Sequence, residues 1–427
     1  MARAKKEAAL TPEERLQAAL VPDWEWPYKL PENWCWVYAP HIFDIEYGKG
    51  LPIKQLSDTG YPVFGANGQI GFYSEYMYKE PQALMSCRGA YSGTMNKSLP
   101  YSYVTSNSLI ISSPRGLMGT DCIYYLFSAL NVSELISGTA QPQVTVQAFD
   151  GFPIPLSPLA EQQRIVDRIE SLFAKLDEAK EKAQAVVDSF ETRKAAILHK
   201  AFTGELTAKW REEHGVSIDN WKTTRFDSVA AIRSNLVDPA EYQSFPHIAP
   251  DNIEKKTGVL LEYHTIAEDG VTSGKHRFYS GQILYSKIRP YLSKAVVVDF
   301  DGLCSADMYP IEAYQNARCL WYYMLSDEFL LQASTAGSRS VLPKINQKEL
   351  SALTVHLPTN DREQEEIARI LDELFDKEQQ SKEAAEAVLD QIDLMKKSIL
   401  ARAFRGELGT NDPSEESAVE LLKRTIL

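Results

Sequence analysis

Three things that the chain lacks narrow its possible functions. Its five cysteines include no Cys-x-x-Cys pair, which argues against a disulfide framework and against a zinc site, so we expect buried thiols. No apolar run is long enough to span a bilayer, and residues 1–20 lack the apolar stretch of a signal peptide, which favours a cytoplasmic protein. The net charge of −13 lacks the basic excess that is usual for a simple DNA-binding domain.

Motifs of catalysis are also missing from the sequence. The Asn-Pro-Pro-aromatic motif of adenine methyltransferases is absent. Residues 270–276 resemble a phosphate loop but have three residues between the glycines instead of four, so we predict a turn. The histidines are scattered without metal-ligand spacing. We therefore predict no catalytic residue and no metal site.

The chain does contain two long segments, from about 159 to 206 and from about 361 to 408, with apolar residues four and three apart. This spacing is typical of a coiled-coil heptad, so each segment predicts a helix that needs a partner. The predicted core of the helix pair consists of Ile165, Ile169, Leu172, Leu176 and Phe190 in the first segment and Ile367, Leu371, Leu374, Val388 and Ile392 in the second.

The two segments are copies of each other at a constant offset of 202 residues. Glu161-Gln162 recurs as Glu363-Gln364, and Ala201–Leu206 recurs as Ala403–Leu408. A constant offset without insertions indicates that length is selected, at roughly 65 Å per helix for a rise of about 1.5 Å per residue. It is equally explained by the register of a coiled coil, which insertions would break.

The globular parts between the helices repeat only at their edges. Tyr124–Ser128 is echoed by Tyr322–Ser326, whereas the centres of the two parts are unlike. We predict an α/β (α+β) fold with a pseudo-two-fold internal repeat, in which an antiparallel helix pair separates two tandem domains. The expected divisions are an N-terminal helical segment 1–29, a first domain 30–155, helix 156–206, a connector 207–220, a second domain 221–358, helix 359–408 and a helical tail 409–427.

This order resembles the specificity subunit of Type I restriction-modification systems. The resemblance is carried by Leu30–Trp34 at the start of the first domain, by Pro155–Gln162 at the helix start and by Ala196–Arg211 at the helix end, and it covers nearly the whole chain. It implies that each domain is a target-recognition domain that reads one half of a split DNA site. The helix pair is then expected to set the gap between the halves.

The resemblance also implies partners. It suggests a non-catalytic chain that binds double-stranded DNA together with two adenine methyltransferase subunits and, in some complexes, ATP-dependent restriction subunits. No cofactor is expected in this chain, whereas S-adenosylmethionine, and ATP with Mg, are implied for the partners. We further expect the tail and the N-terminal helix, which is predicted to begin after Thr11, to pack together and to help dock one methyltransferase.

Candidate DNA contacts follow from the side chains that read base edges. In the second domain a strand through residues 284–291 would place Tyr285, Lys287 and Arg289 on one face, although a solvated edge strand would look the same. Weaker candidates there are Lys275, Arg277 and Arg339. In the first domain the corresponding stretch contains Arg88 and Ser92 among small residues. Its possible companions are Lys49, Lys54, Asn67, Gln69 and Lys97.

Two other functions remain open from the residues alone. The chain could be a coiled-coil scaffold that holds two protein-binding domains without DNA. It could also be an unpaired subunit that binds DNA as a decoy, without a methyltransferase.

Overall fold

The computed structural model describes residues 11–336 and 343–426, and contacts within the chain divide them into two units. One unit takes the described residues up to Ala183 and those from Ala387 onward, and the other spans Gln184–Glu386. The helices are α1 (Pro12–Ala19), α2 (Thr120–Ala129), α3 (Leu159–Asp188), α4 (Phe190–Phe202), α5 (Ala208–His214), α6 (Ile266–Asp269), α7 (Ala317–Met324), α8 (Asp327–Ala336), α9 (Gln347–Ala352), α10 (Asp361–Ala403) and α11 (Ala418–Ile426).

Short strands fill the space between the long helices. They are β1 (Cys35–Tyr38), β2 (Asp44–Tyr47), β3 (Tyr61–Gly65), β4 (Gly68–Tyr73), β5 (Ala83–Ser86), β6 (Met95–Lys97), β7 (Tyr103–Val104), β8 (Ser108–Ser112), β9 (Ile136–Ser137), β10 (Gln143–Val144), β11 (Pro153–Leu156), β12 (Trp221–Arg225), β13 (Ala230–Ile232), β14 (Leu236–Val237), β15 (Pro246–Ile248), β16 (His264–Thr265), β17 (Lys275–Phe278), β18 (Ile283–Ser286), β19 (Ala295–Val297), β20 (Gly302–Cys304), β21 (Met308–Ala313) and β22 (Thr354–Pro358).

The two units share two sheets and differ in their other sheets, and the described part of the first unit also contains a β9–β10 pair that the described part of the second lacks. In the first, β1 pairs with β11 and a four-stranded sheet has the order β2-β8-β5-β6; in the second, β12 pairs with β22 and the sheet order is β13-β21-β18-β19. The remaining large sheet is three-stranded in the first unit (β4-β3-β7) and five-stranded in the second (β14-β17-β20-β15-β16). The prediction of a repeated frame with unlike centres is therefore confirmed.

Each four-stranded sheet is covered on both faces. Alternate residues of a strand point to opposite faces, and in β18 Ile283 and Tyr285 join the core that contains the helices, whereas Leu284 joins a smaller core with Phe278 of the five-stranded sheet. In β5 Met85 and Leu84 divide between two cores in the same way. Each domain is thus layered, with helices, the repeated sheet and then the divergent sheet.

The long helices pair antiparallel within each unit. In the first unit Lys180 Nζ lies 3.6 Å from Asp393, and Asp177 pairs with Lys396. In the second, Arg193 Nε donates to Glu378 at 2.7 Å. The Lys382 ammonium also lies 5.0 Å from the ring centroid of Phe190, so in both units a later residue of the first helix contacts an earlier residue of the second, which confirms the predicted antiparallel arrangement.

Most of the predicted helix-pair core is observed, with one error. Ile165, Ile169, Phe190, Ile367, Leu371 and Ile392 are buried, and Leu172, Leu176 and Leu374 are half-buried. Val388 is 40 % exposed, so its placement in the core was wrong. After the buried Ala385 the apolar stripe advances four residues, to the half-buried Leu389, before it reaches Ile392.

The helices also differ in detail from the predicted segments. The first is divided at Ser189, whose hydroxyl donates back to Ala185 O, a contact that bends helices, whereas the second is continuous. Both end before the predicted 206 and 408, because Gly204 (φ 81°) and Gly406 (φ 74°) turn the chain in the left-handed conformation. A Cβ on Gly406 would lie 2.3 Å from Pro31 Cγ.

The terminal helices pack together in the first unit, as predicted. The capping box at Thr11 is present, with Glu14 N–H donating to Thr11 Oγ1 at 3.2 Å and the Thr11 N–H donating to the Glu14 carboxylate at 2.8 Å. Ala418 and Leu422 of α11 are fully buried in the core that also contains Ala19 of α1. The N-terminal helix and the tail therefore complete one core.

The five cysteines are buried free thiols, which confirms that prediction. Burial raises the pKa of Cys35 and of Cys122 to about 12, so both remain protonated at neutral pH. Within the described ranges no helix combines the length and the apolar content that a membrane crossing requires. Residues 11–336 and 343–426 also contain no cluster of three or more metal-capable side chains.

A fully buried glutamate lies at the start of each long helix. Glu161 accepts hydrogen bonds from Trp34 Nε1 (2.7 Å), Asn411 Nδ2 (2.9 Å) and Thr410 Oγ1 (3.2 Å). In the other unit, Glu363 accepts from Trp221 Nε1 (3.0 Å), Thr207 Oγ1 (2.9 Å) and Arg211 Nη1 (2.7 Å), and the Arg211 side chain is only 10 % exposed.

The two carboxylates connect the same three parts of their units. Each joins the tryptophan at the first strand of a domain, the long helix that follows that domain, and the segment that follows the other long helix. The repeated Glu-Gln pair of the sequence is thus a structural junction. Burial of the charge is tolerated because donors surround it.

Replacement of Glu363 by alanine should lower the free energy of unfolding of the second unit by roughly 3–5 kcal/mol, because buried Arg211 loses its counter-charge. Glu366→Ala, three residues along α10, removes an ion pair with the half-exposed Arg369 and should cost less than about 1 kcal/mol. Urea unfolding followed by tryptophan fluorescence measures both values. Equal losses in the two variants would contradict the assigned role of Glu363.

Candidate nucleic-acid interface

The two stretches proposed for DNA contact are structurally equivalent turns. Each follows the same strand of the repeated four-stranded sheet, β5 or β18, and leads into one turn of 3₁₀ helix. Gly89 N–H donates to Pro142 O at 2.9 Å, and Arg289 N–H donates to Pro343 O at 2.8 Å. The predicted correspondence between the two stretches is confirmed by this shared hydrogen bond.

The predicted face of Tyr285, Lys287 and Arg289 is wrong. Strand β18 ends at Ser286, and Tyr285 is 2 % exposed in the helix-side core, where burial raises its pKa. The Lys287 ammonium donates to Ala306 O and lies 3.8 Å from Asp307. Pro290 was the overlooked signal, since proline does not continue a central strand.

Arg289 remains a candidate for a different reason. It is exposed and adopts φ 47°, a left-handed conformation, where the first unit has Gly89 at φ 77°. Ser293 (φ 47°) likewise occupies the place of Gly93 (φ 87°). A left-handed residue that carries a side chain costs roughly 1–2 kcal/mol relative to the right-handed conformation. Backbone strain of this kind concentrates at functional sites.

Ion pairing separates the arginines of the second domain into two groups. Arg225, Arg233 and Arg318 pair with Asp227, Glu312 and Asp372. Among the residues that the structure describes, Arg277 and Arg289 have no carboxylate within 4.0 Å of their guanidinium nitrogens. Of the second-domain arginines that the structure describes, these two leave part of their guanidinium group available to an external anion or base edge.

Arg277 is surrounded by aromatic rings. Its Cζ lies 4.8 Å from the ring centroid of Tyr279, 5.4 Å from that of Tyr242 and 6.0 Å from that of Phe245. Cation–π attraction of this kind holds a guanidinium in place.

Lys275, on the same strand as Arg277, is buried, and its ammonium donates to Ser273 Oγ at 2.7 Å and to Ser273 O at 2.9 Å. Lys275 as placed is therefore not a DNA contact, contrary to prediction.

A histidine–aspartate group lies in the same five-stranded sheet. His247 Nδ1 is 2.7 Å from Asp269 Oδ2, and His264 Nδ1 is 3.3 Å from Asp269 Oδ1. The hydrogen bond from His247 is the main cause that lowers the pKa of Asp269. Burial, and then the charge of Lys287, lower the pKa of His276, so this side chain is neutral at pH 7.

The first domain places its candidates in different surroundings. Arg88 is exposed in the turn after β5, whereas Ser92 in that turn is half-buried and donates to Pro142 O at 2.8 Å. Lys97 pairs with Asp121 at 2.7 Å. The side chains Lys49, Lys54, Asn67 and Gln69 are exposed. Arg339 of the second domain lies outside the described residues.

Sequence reasoning missed a group of tyrosines in the first domain. The ring centroids of Tyr61 and Tyr76 are 4.9 Å apart, and those of Tyr76 and Tyr101 are 5.2 Å apart. Tyr61 and Tyr101 are exposed, and Tyr101 has φ 53°. Closely spaced tyrosines at 73–78 and 101–103 were the available signal.

Comparison with known proteins gives consistent matches. The family model described as "Type I restriction modification DNA specificity domain" matches residues 31–187 and again residues 218–388. The chain is 34% identical over 380 residues to the Type I restriction enzyme EcoDI specificity subunit of Escherichia coli, covering 82% of this chain and 83% of that one. It is 25% identical over 306 residues to the EcoKI specificity subunit of Escherichia coli strain K12, covering 65% and 62%.

Solved structures show a similar fold at lower identity. A chain from a structure describing complex assembly of the type I R-M system has TM-score 0.65 and 19% identity, covering 89% of this chain and 100% of that one. The HsdS subunit from Thermoanaerobacter tengcongensis has TM-score 0.58 and 18% identity, covering 90% and 99%.

Arg289→Gly should stabilise the protein by about 1 kcal/mol, because it relieves the left-handed strain at a place where the first unit has glycine. It should also weaken binding to duplex DNA, since it removes an unpaired guanidinium. Unfolding midpoints and DNA titration at fixed salt measure the two effects. Gly89→Ala in the other unit, at φ 77°, is the reverse control and should destabilise. Loss of stability in Arg289→Gly would contradict the argument from strain.

Proposed function

The chain belongs to the specificity subunits of Type I restriction-modification systems, and we propose that each of its two domains reads one half of a split DNA site. The family model matches both domains, and it describes a DNA specificity domain. The proposal is carried by one observation: a shared frame of strand topology and helix junctions supports outer sheets that differ in strand number and order between the two domains. Reading two unlike half-sites requires this combination.

We propose that the helix pair sets the distance between the half-sites. Support comes from the constant 202-residue offset, which keeps both copies equal in length, and from the antiparallel pairing in each unit. A purely structural scaffold would share these features. It would not require two arginines without carboxylate partners, Arg277 in the divergent sheet and Arg289 in the turn after β18, and an unpaired guanidinium is suited to nucleic acid.

The acidic balance of the chain is consistent with shared DNA binding. A net charge of −13 supplies little of the phosphate neutralisation that binding requires, so partner subunits would contribute part of it. Two adenine methyltransferase subunits would bring S-adenosylmethionine, and restriction subunits would bring ATP with Mg. This chain would supply no catalytic group, and the assembly would act on DNA in the cytoplasm.

Mapping of methylated adenines across the genome, with and without this gene, tests the proposal. We expect a motif of two short half-sites around a fixed gap to disappear when the gene is removed, because the methyltransferase loses its site selection. Exchange of the divergent sheet region of one domain for that of a relative should change one half-site and keep the other. An unchanged map in a strain whose methyltransferase is active would refute the proposal.

The surface formed by α1 and α11 is the proposed contact for one methyltransferase. Deletion of residues 413–427 should weaken assembly, but it also removes the buried Leu422 and the ion pair between Arg164 and Glu415. The double variant Glu420→Lys with Arg424→Glu changes only exposed charges and should weaken association several-fold. Titration with the methyltransferase measures it. Normal affinity in both variants would exclude this surface.

A further inference from the structure

The five-stranded sheet of the second unit has one face that is turned away from the repeated sheet. Phe278, Cys304 and Ile248 lie on its inner face and join the core beneath it. On the opposite face Arg277, Leu303 and His247 are adjacent on β17, β20 and β15. Arg277 therefore belongs to the outer face of the layer in which the two domains differ.

Aromatic rings surround the Arg277 guanidinium, and one of its nitrogens has no hydrogen-bond partner in the described part of the chain. Three aromatic rings lie within 6.0 Å, and its buried Nε has no hydrogen-bond partner among the described residues. A buried donor without an acceptor is costly. Arg225 and Arg233 of the same domain satisfy the same donor with a carboxylate, at 3.0 and 2.8 Å. Because this Nε is enclosed by the protein, an acceptor from outside the chain can reach only the Nη groups of Arg277, which have no carboxylate within 4.0 Å among the described residues.

A second side chain on the outer face, His247, also has a buried nitrogen without a hydrogen-bond partner from the residues that the structure describes. His247 is 6 % exposed, its Nδ1 contacts Asp269, and its Nε2 has no hydrogen-bond partner in the described chain. Leu303 lies between His247 and Arg277 in the sheet, which puts their backbones two strand spacings, about 10 Å, apart. Leu303 is fully buried and His247 Nε2 is enclosed, so of these three side chains only the half-buried Arg277 can reach a ligand.

We propose that Arg277 is a specificity-determining residue that reads a guanine in the half-site of the second domain, an inference that rests on the proposed function. The fork of a guanidinium matches the O6 and N7 acceptors of guanine in the major groove. Base reading needs a side chain whose position is set before DNA arrives, and the aromatic surroundings of Arg277 set it. Arg289, exposed and free of such contacts, suits a phosphate, which tolerates variable geometry.

Three glutamine variants of the full chain in complex with its methyltransferase test this assignment. Arg277→Gln should lower methylation of the native site about 5- to 150-fold and relax or change the motif at one position of one half-site. Arg289→Gln should lower DNA affinity at all sites, with the motif unchanged and a smaller dependence on salt. Arg233→Gln, which replaces an arginine paired with exposed Glu312, should change neither.

The readouts separate a base contact from structural or phosphate roles. Arg277→Lys keeps the charge over the rings but loses the fork, so it should keep the melting temperature and still lose discrimination at that position. An unchanged motif with uniformly weaker methylation would assign Arg277 to a phosphate and overturn the inference. Loss of melting temperature in Arg277→Lys, with the motif kept, would make it structural and also overturn it. Absence of any split motif with the unaltered chain would instead refute the proposed function.

Discussion

Burial of a carboxylate at the start of each long helix is the constraint on which the rest of the structure depends. Glu161 and Glu363 are fully buried, and a buried charge persists only where donors surround it. Those donors come from the first strand of the domain and from the segment after the other helix. Both helices must therefore be antiparallel and complete before either glutamate is satisfied.

The parts of each unit that lie near the buried glutamate are the same in both units, whereas the outer sheets differ. The repeated four-stranded sheet, β1 with β11, and β12 with β22 all stay close to the helix start, and both units keep them. The outer sheet contacts the frame through small cores, such as the one formed by Leu84 and Phe64, and it differs between the units. The outer sheet can thus differ between the units while the helix pair stays the same.

Much of the frame was predictable because its signals are local or periodic. The heptad spacing located both helices, and the repeated letters located the junctions and the antiparallel pair. Val388 was misplaced because spacings of three and four are both allowed at each step, and only packing selects Leu389. Tyr285 was misplaced because alternation in a short stretch does not tell a central strand from an edge strand.

The candidate site was predictable in composition but not in arrangement. The sequence identified Arg277 and Arg289 as suitable for base or phosphate contact, and it could not distinguish them from Lys275, whose ammonium is satisfied by Ser273. An arginine is paired or unpaired according to the position of carboxylates such as Asp227, Glu312 and Asp372. Glu312 lies 79 positions from its arginine partner in the sequence, and Asp372 lies 54 positions from its own.

By itself, the sequence determined the family, the duplication, the two helices and their register to within one residue, because these follow from repeats and from the 3.5-residue period. The tertiary structure alone decided which face of each strand is buried and which arginine is held among aromatic rings. It also placed Arg289 in a left-handed conformation where the first unit has glycine. The reason is physical: burial, strain and ion pairing arise between residues far apart in the chain.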